Sequence, residues 1–384
     1  MSKRKEHSLT GRITFERMLE AFLSVKRNRG AAGIDKVSVR LFDANRDDNL
    51  RALMRDLKQG SYEPFPLRRA YIHESPVKVR ALGIPAVRDR VAQEVVRRLL
   101  NPIFERHFHP ASYGFRQGHN CHQAVQHVLR LCRAGYDVVF DADITGFFDN
   151  LPQGVIMDAV AAHVADGNIL RLVEKFLTSG VMEDGVFKPT TIGTPQGGVL
   201  SPLLANIVLN HLDWELDKAG DRFVQYADDF VVLGPTHARV KEARAFVTQV
   251  LRDLGLELNS KKTIETSFGR GFTFLGFRLS SRAVTVRDKS VEKFKTKVRD
   301  LTVRKHNLDA EVIAKLNRVI RGTANYFATA FSQCRWQFRN LDAFVRRRLR
   351  CMKLKRISCR DNFRVRTKHL RRLGLLSLLD FCVG

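Results

Sequence analysis

Residues 223–234 read FVQYADDFVVLG, two apolar runs on either side of Asp228 and Asp229. Runs that short and that apolar, at 222–226 and 230–234, are predicted as buried strands, and the gap between them leaves room only for a tight hairpin. Both carboxylates then sit side by side at its tip. Two like charges at the edge of a buried sheet are unfavourable by several kcal/mol unless something neutralises them. The tip therefore calls for a cation.

A second acidic strand end has the same form. YDVVFD at 136–141 predicts a buried strand, and DADITGFFDN at 141–150 sets Asp141, Asp143 and Asp149 at its end. Strands paired in one sheet would bring Asp143 beside Asp228 although they are distant in the chain. Three converging carboxylates are stable with cations between them. Hard oxygen ligands suit two Mg2+ ions about 3.5–4 Å apart, with Mn2+ a substitute, and such a pair activates a hydroxyl and clamps phosphate oxygens.

The charge balance points the same way. Lysine and arginine number 66 against 40 acidic residues, giving a net charge of +26 and a pI near 10.3. A polyanionic partner, nucleic acid first, fits such a balance best. Between 346 and 372, 13 of 27 residues are Lys or Arg against one acid, Asp361, which reads as a phosphate-tracking surface. A boundary near 285 accordingly separates a mixed α/β portion, 1–285, from a basic helical module, 286–384.

No apolar run approaches the roughly 18–20 residues of a spanning helix. MSKRKEHSLTGRITF lacks the apolar core of a signal peptide, so the expectation is a cytoplasmic chain with no membrane partner. Six scattered cysteines (Cys121, Cys132, Cys334, Cys351, Cys359, Cys382) form no CxxC pair and read as free thiols. His107, His109, His119 and His122 beside Cys121 match no zinc spacing and read as loop and helix histidines, some near phosphate. Helices are predicted over 12–28, 86–106 and 236–255, with Asn101-Pro102 disturbing the last turn of the second. Ser201 and Pro202 read as the N-cap and N1 of another helix, and FTFLGFRLS at 272–280 as one strand.

YADD at 226–229, DITGFFD at 143–149 and TPQGGVLSPLLANIVLN at 194–210 together resemble the reverse transcriptases of the group II intron type, domesticated defence-associated relatives included. Further matches in the same order are NRGAAGID (28–35), RALGIPAVRDRVAQEVV (80–96), PIFERHFHPASYGFRQGHN (102–120), LNSKKT (258–263), FLGF (274–277) and LNRVIRGTANYF (316–327). The resemblance implies an α+β right-hand polymerase. Fingers and palm, an antiparallel sheet flanked by helices, would occupy 1–285, and a helical, maturase-like thumb 286–384. It also implies RNA-directed DNA synthesis by two-metal nucleotidyl transfer. The partners implied are a structured intron or noncoding RNA as template, a DNA or RNA primer, and dNTPs; the oligomeric state is left open.

On individual positions, the resemblance makes Asp143 and Asp228 the principal metal ligands and catalytic residues. Asp229 completes the cluster, and the Ile144 carbonyl lies beside the metal. Phe148 would exclude a ribose 2′-hydroxyl. Gln196 would cover the incoming nucleotide, with Gly197 letting the backbone approach substrate and primer. Arg80 would clamp the triphosphate, Arg116 would lie near the template, and Lys262 would serve the nucleotide site or brace the palm. Glu74 stands where many relatives have lysine, so Lys78, or Arg68 and Arg69, would substitute. Thr323 stands where relatives often have tryptophan. Arg346, Arg347 and Arg350 are expected on template and primer. Three roles follow: a splicing maturase, a domesticated polymerase copying a dedicated RNA in antiviral defence, which the compact length favours slightly, or an RNA-binding scaffold with a vestigial site.

Overall fold

The computed structural model describes residues 5–73, 79–195, 197–356, 358 and 360–382, with His73 and Arg80 described by backbone alone. Glu74, Lys78, Gln196 and Cys359 lie outside the described residues. The chain divides into two compact units, Met1–Glu265 and Thr266–Gly384.

Numbered along the chain, the strands of the first unit are β1 (Leu67–His73), β2 (Val79–Ile84), β3 (Val138–Asp143), β4 (Val181–Glu183), β5 (Val186–Lys188), β6 (Arg222–Tyr226), β7 (Asp229–Gly234) and β8 (Ile264–Ser267), at which the unit ends. The central sheet has the order β6-β7-β3-β8, with β7 antiparallel to both β6 and β3. Val139, Phe140, Val231 and Val232 are almost fully buried, as their apolar runs require. The strand expected at 136–141 is shifted two residues on, so Asp141 and Asp143 lie inside β3 and share a face. The second sheet, β2-β1-β4-β5, is mixed: β1 runs antiparallel to β2 but parallel to β4, pairing Leu67 with Val181. The antiparallel sheet expected is found in β6, β7 and β3, and the parallel pairing is confined to β1 and β4 of this second sheet among the described strand pairings.

Helix Val87–Phe104 buries Val91, Val95 and Leu99 and tolerates Pro102 in its final turn, where one lost hydrogen bond costs least. Helix Phe15–Arg27, capped by the Thr14 side chain, packs against it. Asp89, in the first turn of Val87–Phe104, accepts from the Tyr62 hydroxyl at 2.6 Å and the Phe65 N–H at 3.0 Å. Ser201 is not an N-cap. The helix runs Ser201–Lys218 with Leu200 as its cap, and the Ser201 hydroxyl instead donates to the Pro195 carbonyl at 2.9 Å.

In the second unit, β9 (Phe272–Phe274), β10 (Phe277–Leu279) and β11 (Val284–Val286) form a small antiparallel sheet, followed by helices Asp288–Leu301, Ala310–Phe327 and Arg335–Leu354. The single strand expected over 272–280 is a hairpin. A continuous strand would send Phe277 and Leu279 to the face opposite Phe272 and Phe274. Turning at Leu275 (φ +47°) and Gly276 (φ +85°) pairs Phe277 with Phe274 and Leu279 with Phe272, so all four are buried together. The compositional shift near 285 coincides with the end of this sheet. Among the described residues, Cys121, Cys132, Cys334, Cys351 and Cys382 are free thiols, and no helix is long and apolar enough to cross a membrane.

Burial lifts the Asp89 carboxyl to about 6, against the lowering pull of the Tyr62 hydroxyl and Arg88. The folded chain keeps that proton to a higher pH than the unfolded chain, which releases it near 3.8. The native state therefore loses relative stability as pH rises between those values. In urea titrations, the unfolding free energy of Asp89→Asn relative to wild type should improve by about 2–3 kcal/mol between about pH 4 and pH 7. A difference independent of pH would exclude the buried charge as the cause.

Candidate active site

The hairpin tip is built by close packing. Tyr226 pairs with Asp229 across β6 and β7, leaving Ala227 and Asp228 as a two-residue turn. Ala227 takes φ +57°, a conformation a β-carbon disfavours, so surrounding contacts must hold it. Gln225, 1% exposed, donates from Nε2 to the Ala227 carbonyl at 3.0 Å. Its backbone bridges residues 111–113: the Gln225 N–H donates to Ala111 and the Tyr113 N–H donates to Gln225, both at 2.9 Å. Gly114 lies against the turn so closely that a Cβ there would sit 2.2 Å from the Ala227 nitrogen. The buried Asn206 amide, from Ser201–Lys218, donates to the Gly114 carbonyl at 2.7 Å. Sequence reasoning missed Gln225 and Asn206 as positioning residues; a polar side chain inside an apolar run was the available signal.

Across the sheet, Asp143 on β3 stands directly opposite Asp229 on β7, a register that puts their Cα atoms about 4.5–5.5 Å apart. Asp228 sits at the tip, one residue away. Asp141, two residues back on the same face, is pushed up to about 7 by burial and then by the charges of Asp229 and Asp143. The carboxylate of Asp143 accepts from the Lys262 ammonium at 2.9 and 3.1 Å. That lysine is delivered by a turn whose Asn259 N–H donates to the Asp143 carbonyl at 2.7 Å. Ile144 is buried and bridges Leu258, but the bridging bonds are made by Asp143 and Thr145, so the Ile144 carbonyl takes no part in them.

Among the described residues, no three His, Cys, Asp or Glu side chains are arranged to hold an ion. The donor chemistry nonetheless fits a hard divalent cation: the face offers carboxylate oxygens, and the Lys262 ammonium already occupies those of Asp143 as a cation would. Phe148, half-buried, packs edge-to-face on Phe147 at 5.3 Å, and its carbonyl accepts from Thr194 at 2.7 Å. The loop that follows Thr194 reaches β2: Gly197, at φ +109°, abuts Gly83, where a Cβ would lie 2.5 Å from the Gly83 carbonyl. Gln93 accepts from the Val199 N–H at 2.8 Å and anchors the same loop.

Residues 72–279 match the family described as reverse transcriptase (RNA-dependent DNA polymerase), and residues 291–374 match the group II intron, maturase-specific domain. Protein YkfC of Escherichia coli (strain K12) is 34% identical over 305 residues, covering 69% of this chain and 80% of YkfC. The chain belongs to the group II intron-type reverse transcriptase family. Group II intron-encoded protein LtrA of Lactococcus lactis subsp. cremoris is 38% identical over 172 residues, 44% of this chain and 28% of LtrA. A solved telomerase from Candida albicans superposes with a TM-score of 0.46 at 12% identity, over 83% of this chain and 64% of that one.

The first unit has the α+β fold, with sheets flanked by helices, that the right-hand polymerase class implies. The structure uses Arg116 differently from the expected template contact. Its side chain is 7% exposed and donates to Glu105 Oε1 at 2.7 and 2.9 Å and to the His109 and Ser112 carbonyls at 2.7 and 2.6 Å. It braces the loop that holds the hairpin tip. The expected thumb arginines also divide. Arg350 donates to the Val365 carbonyl at 2.9 Å, and burial followed by the charge of Arg346 lowers its pKa. Arg346 lines a small cavity with Asp342 and Arg371, whereas Arg347 is exposed over the Phe344 ring. Arg348 ties its helix to Thr302, donating to Oγ1 at 3.0 Å and to the carbonyl at 2.8 Å.

Gly114→Ala should lower the unfolding free energy of this reverse transcriptase by about 1–3 kcal/mol through overpacking at Ala227. Asn206→Ala should cost a similar amount, about 1–3 kcal/mol, by leaving a buried carbonyl unpaired. Urea denaturation checks both; unchanged stability would mean that the tip is held by something else.

Proposed function

We propose that this reverse transcriptase synthesises DNA on an RNA template at the face shared by β3 and β7. The reading is carried by the register that sets Asp143 opposite Asp229 with Asp228 at the adjoining tip. Asp143, Asp228, Asp229 and the Ile144 carbonyl are the groups that would hold divalent cations. With two Mg2+ bound, or Mn2+ in their place, the site gains Lewis acids that activate the primer hydroxyl and offset charge on the transferred phosphoryl group.

The chain's own residues supply position. Phe148, on the short helix Phe147–Asn150 that follows β3, is assigned to the sugar edge of the nucleotide, where a ring leaves no space for a 2′-hydroxyl. Arg80 on β2 and Gln196 are assigned to the nucleotide, supported by the contact between Gly197 and Gly83. Lys78 or Arg69 supplies further positive charge for the triphosphate. Lys262 holds Asp143 and is the countercharge that a bound cation would displace. In the second unit, the exposed Arg347 is assigned to the nucleic-acid backbone, with Arg346 and Arg350 adding positive charge beside it.

A second reading is favoured by the maturase-specific match over 291–374: the bound RNA is an intron whose splicing the chain promotes. That match supports intron RNA as the template.

Asp228→Ala combined with Asp229→Ala should reduce dNTP incorporation on a primed RNA to background, while filter retention of that RNA stays within a few fold. Chelation with EDTA should have the same effect, reversed by Mg2+. Incorporation that survives the double substitution would refute the mechanism, and splicing that survives it would establish the maturase role separately. Phe148→Ala should raise incorporation of rNTPs relative to dNTPs by about 10-fold or more, corresponding to roughly 1.4 kcal/mol of lost discrimination. An unchanged ratio would leave Phe148 as a core residue.

A further inference from the structure

The first unit contains a cavity of about 570 Å³ whose lining includes none of the acidic residues of β3 and β7. One wall is helix Ser201–Lys218 from Ile207 onward, and Trp214 there is about 12 Å along the helix, at 1.5 Å per residue, from Asn206, which holds the hairpin tip. The floor is apolar, with Val155, Ile207, Val208 and Leu254. Around it stand Arg106, His107, His163, His211 and Lys218. Glu215 also lines the cavity and is paired with Lys218 at 2.6 Å. The lining thus offers more groups able to carry positive charge than negative.

Trp214 is the distinctive element. Its Nε1 donates to the His107 carbonyl at 2.9 Å, and the His109 ring meets it edge-on at 4.8 Å. The indole is therefore fixed in orientation while 40% exposed. A large aromatic fixed beside the cavity is costly to leave in water and is preorganised for stacking. His107 and His163 stack at 4.2 Å on another part of the lining. Aromatic rings among cations over an apolar floor are what unpaired nucleobases and their phosphates require. An acidic peptide would use the cations but would leave the indole without a partner.

We propose that this cavity is a second nucleic-acid site, which takes a single-stranded RNA segment with a base on Trp214 and phosphates on Arg106 and Lys218. It is separate from the face on which synthesis is proposed, and its occupancy does not depend on catalysis. It also accounts for one of the clustered histidines that the polymerase site leaves without a role.

The chain has two tryptophans, Trp214 and Trp336. Trp336 is 71% exposed, so Trp336→Phe should leave the fold intact and Trp214 as the sole emitter. Titrating that full-length variant with an oligouridylate of about six nucleotides should give saturable quenching. Adding Arg106→Ala and Lys218→Ala should weaken the apparent affinity by about ten-fold or more while primer extension is unchanged. Adding Asp228→Ala and Asp229→Ala instead should leave the titration as it was, which separates failure of this site from failure of the polymerase reading. Absence of saturable quenching, quenching insensitive to the two cation substitutions, or equal quenching by polyglutamate would overturn the proposal.

Discussion

The two-residue turn at Ala227 and Asp228 fixes where β7 starts against β6, and β7 in turn places Asp229 opposite Asp143 on β3. In a sheet with one wet face, alternation fixes register, because a slip of one residue exposes the apolar set. That safeguard is weak here: Phe230 through Gly234 are buried on both faces of β7. The turn must therefore set the register, and the turn is itself unfavourable at Ala227. Its stability is drawn from Gly114, Gln225 and Asn206, from three separate segments of the chain. Arg116 acts one step further out by closing the 109–116 loop on Glu105. The acidic face is thus the product of tertiary packing as much as of the hairpin.

Two carboxylates at that face, Asp141 and Asp143, respond to the crowding in different ways. Asp141 responds to the crowding by holding its proton to about pH 7, after burial has already penalised its charge. Asp143 responds by pairing with Lys262, whose side chain is 62% exposed. An ion pair so open to water is worth about 1 kcal/mol or less and exchanges readily. A divalent cation interacts with several carboxylates at once and would outcompete a single ammonium on charge alone. On the proposed function, the lysine would serve as a removable countercharge to Asp143.

Much of this could be read from the sequence, and what could not has a physical reason. The hairpin at 222–234 was evident because its strands are long apolar runs around a polar pair. The smaller hairpin at Leu275 and Gly276 was hidden: two strands of three residues separated by Leu-Gly look like one strand unless the facing of Phe277 is considered. Arginines were the least readable. Composition gives their charge but not their direction, and Arg116, Arg348 and Arg350 turn inward to carbonyls and carboxylates supplied by other segments. Ser201 misled for a similar reason, since its hydroxyl found the Pro195 carbonyl before the helix could use it.

The clustered acids also have to coexist with a net charge of +26. A polyanion is drawn to the chain as a whole, yet the face on which synthesis is proposed carries carboxylates that repel its phosphates. Screening resolves part of the conflict, since at physiological ionic strength charges interact over only about 8 Å. A phosphate approaching the molecule therefore feels the basic surface first and the carboxylates only on arrival. At that distance it meets Asp143 already paired with Lys262, an ion pair too open to water to be strong. On the proposed function, nucleic-acid and cation binding at this face would be coupled: each phosphate that docks would raise the affinity for a cation, and each cation would admit a phosphate.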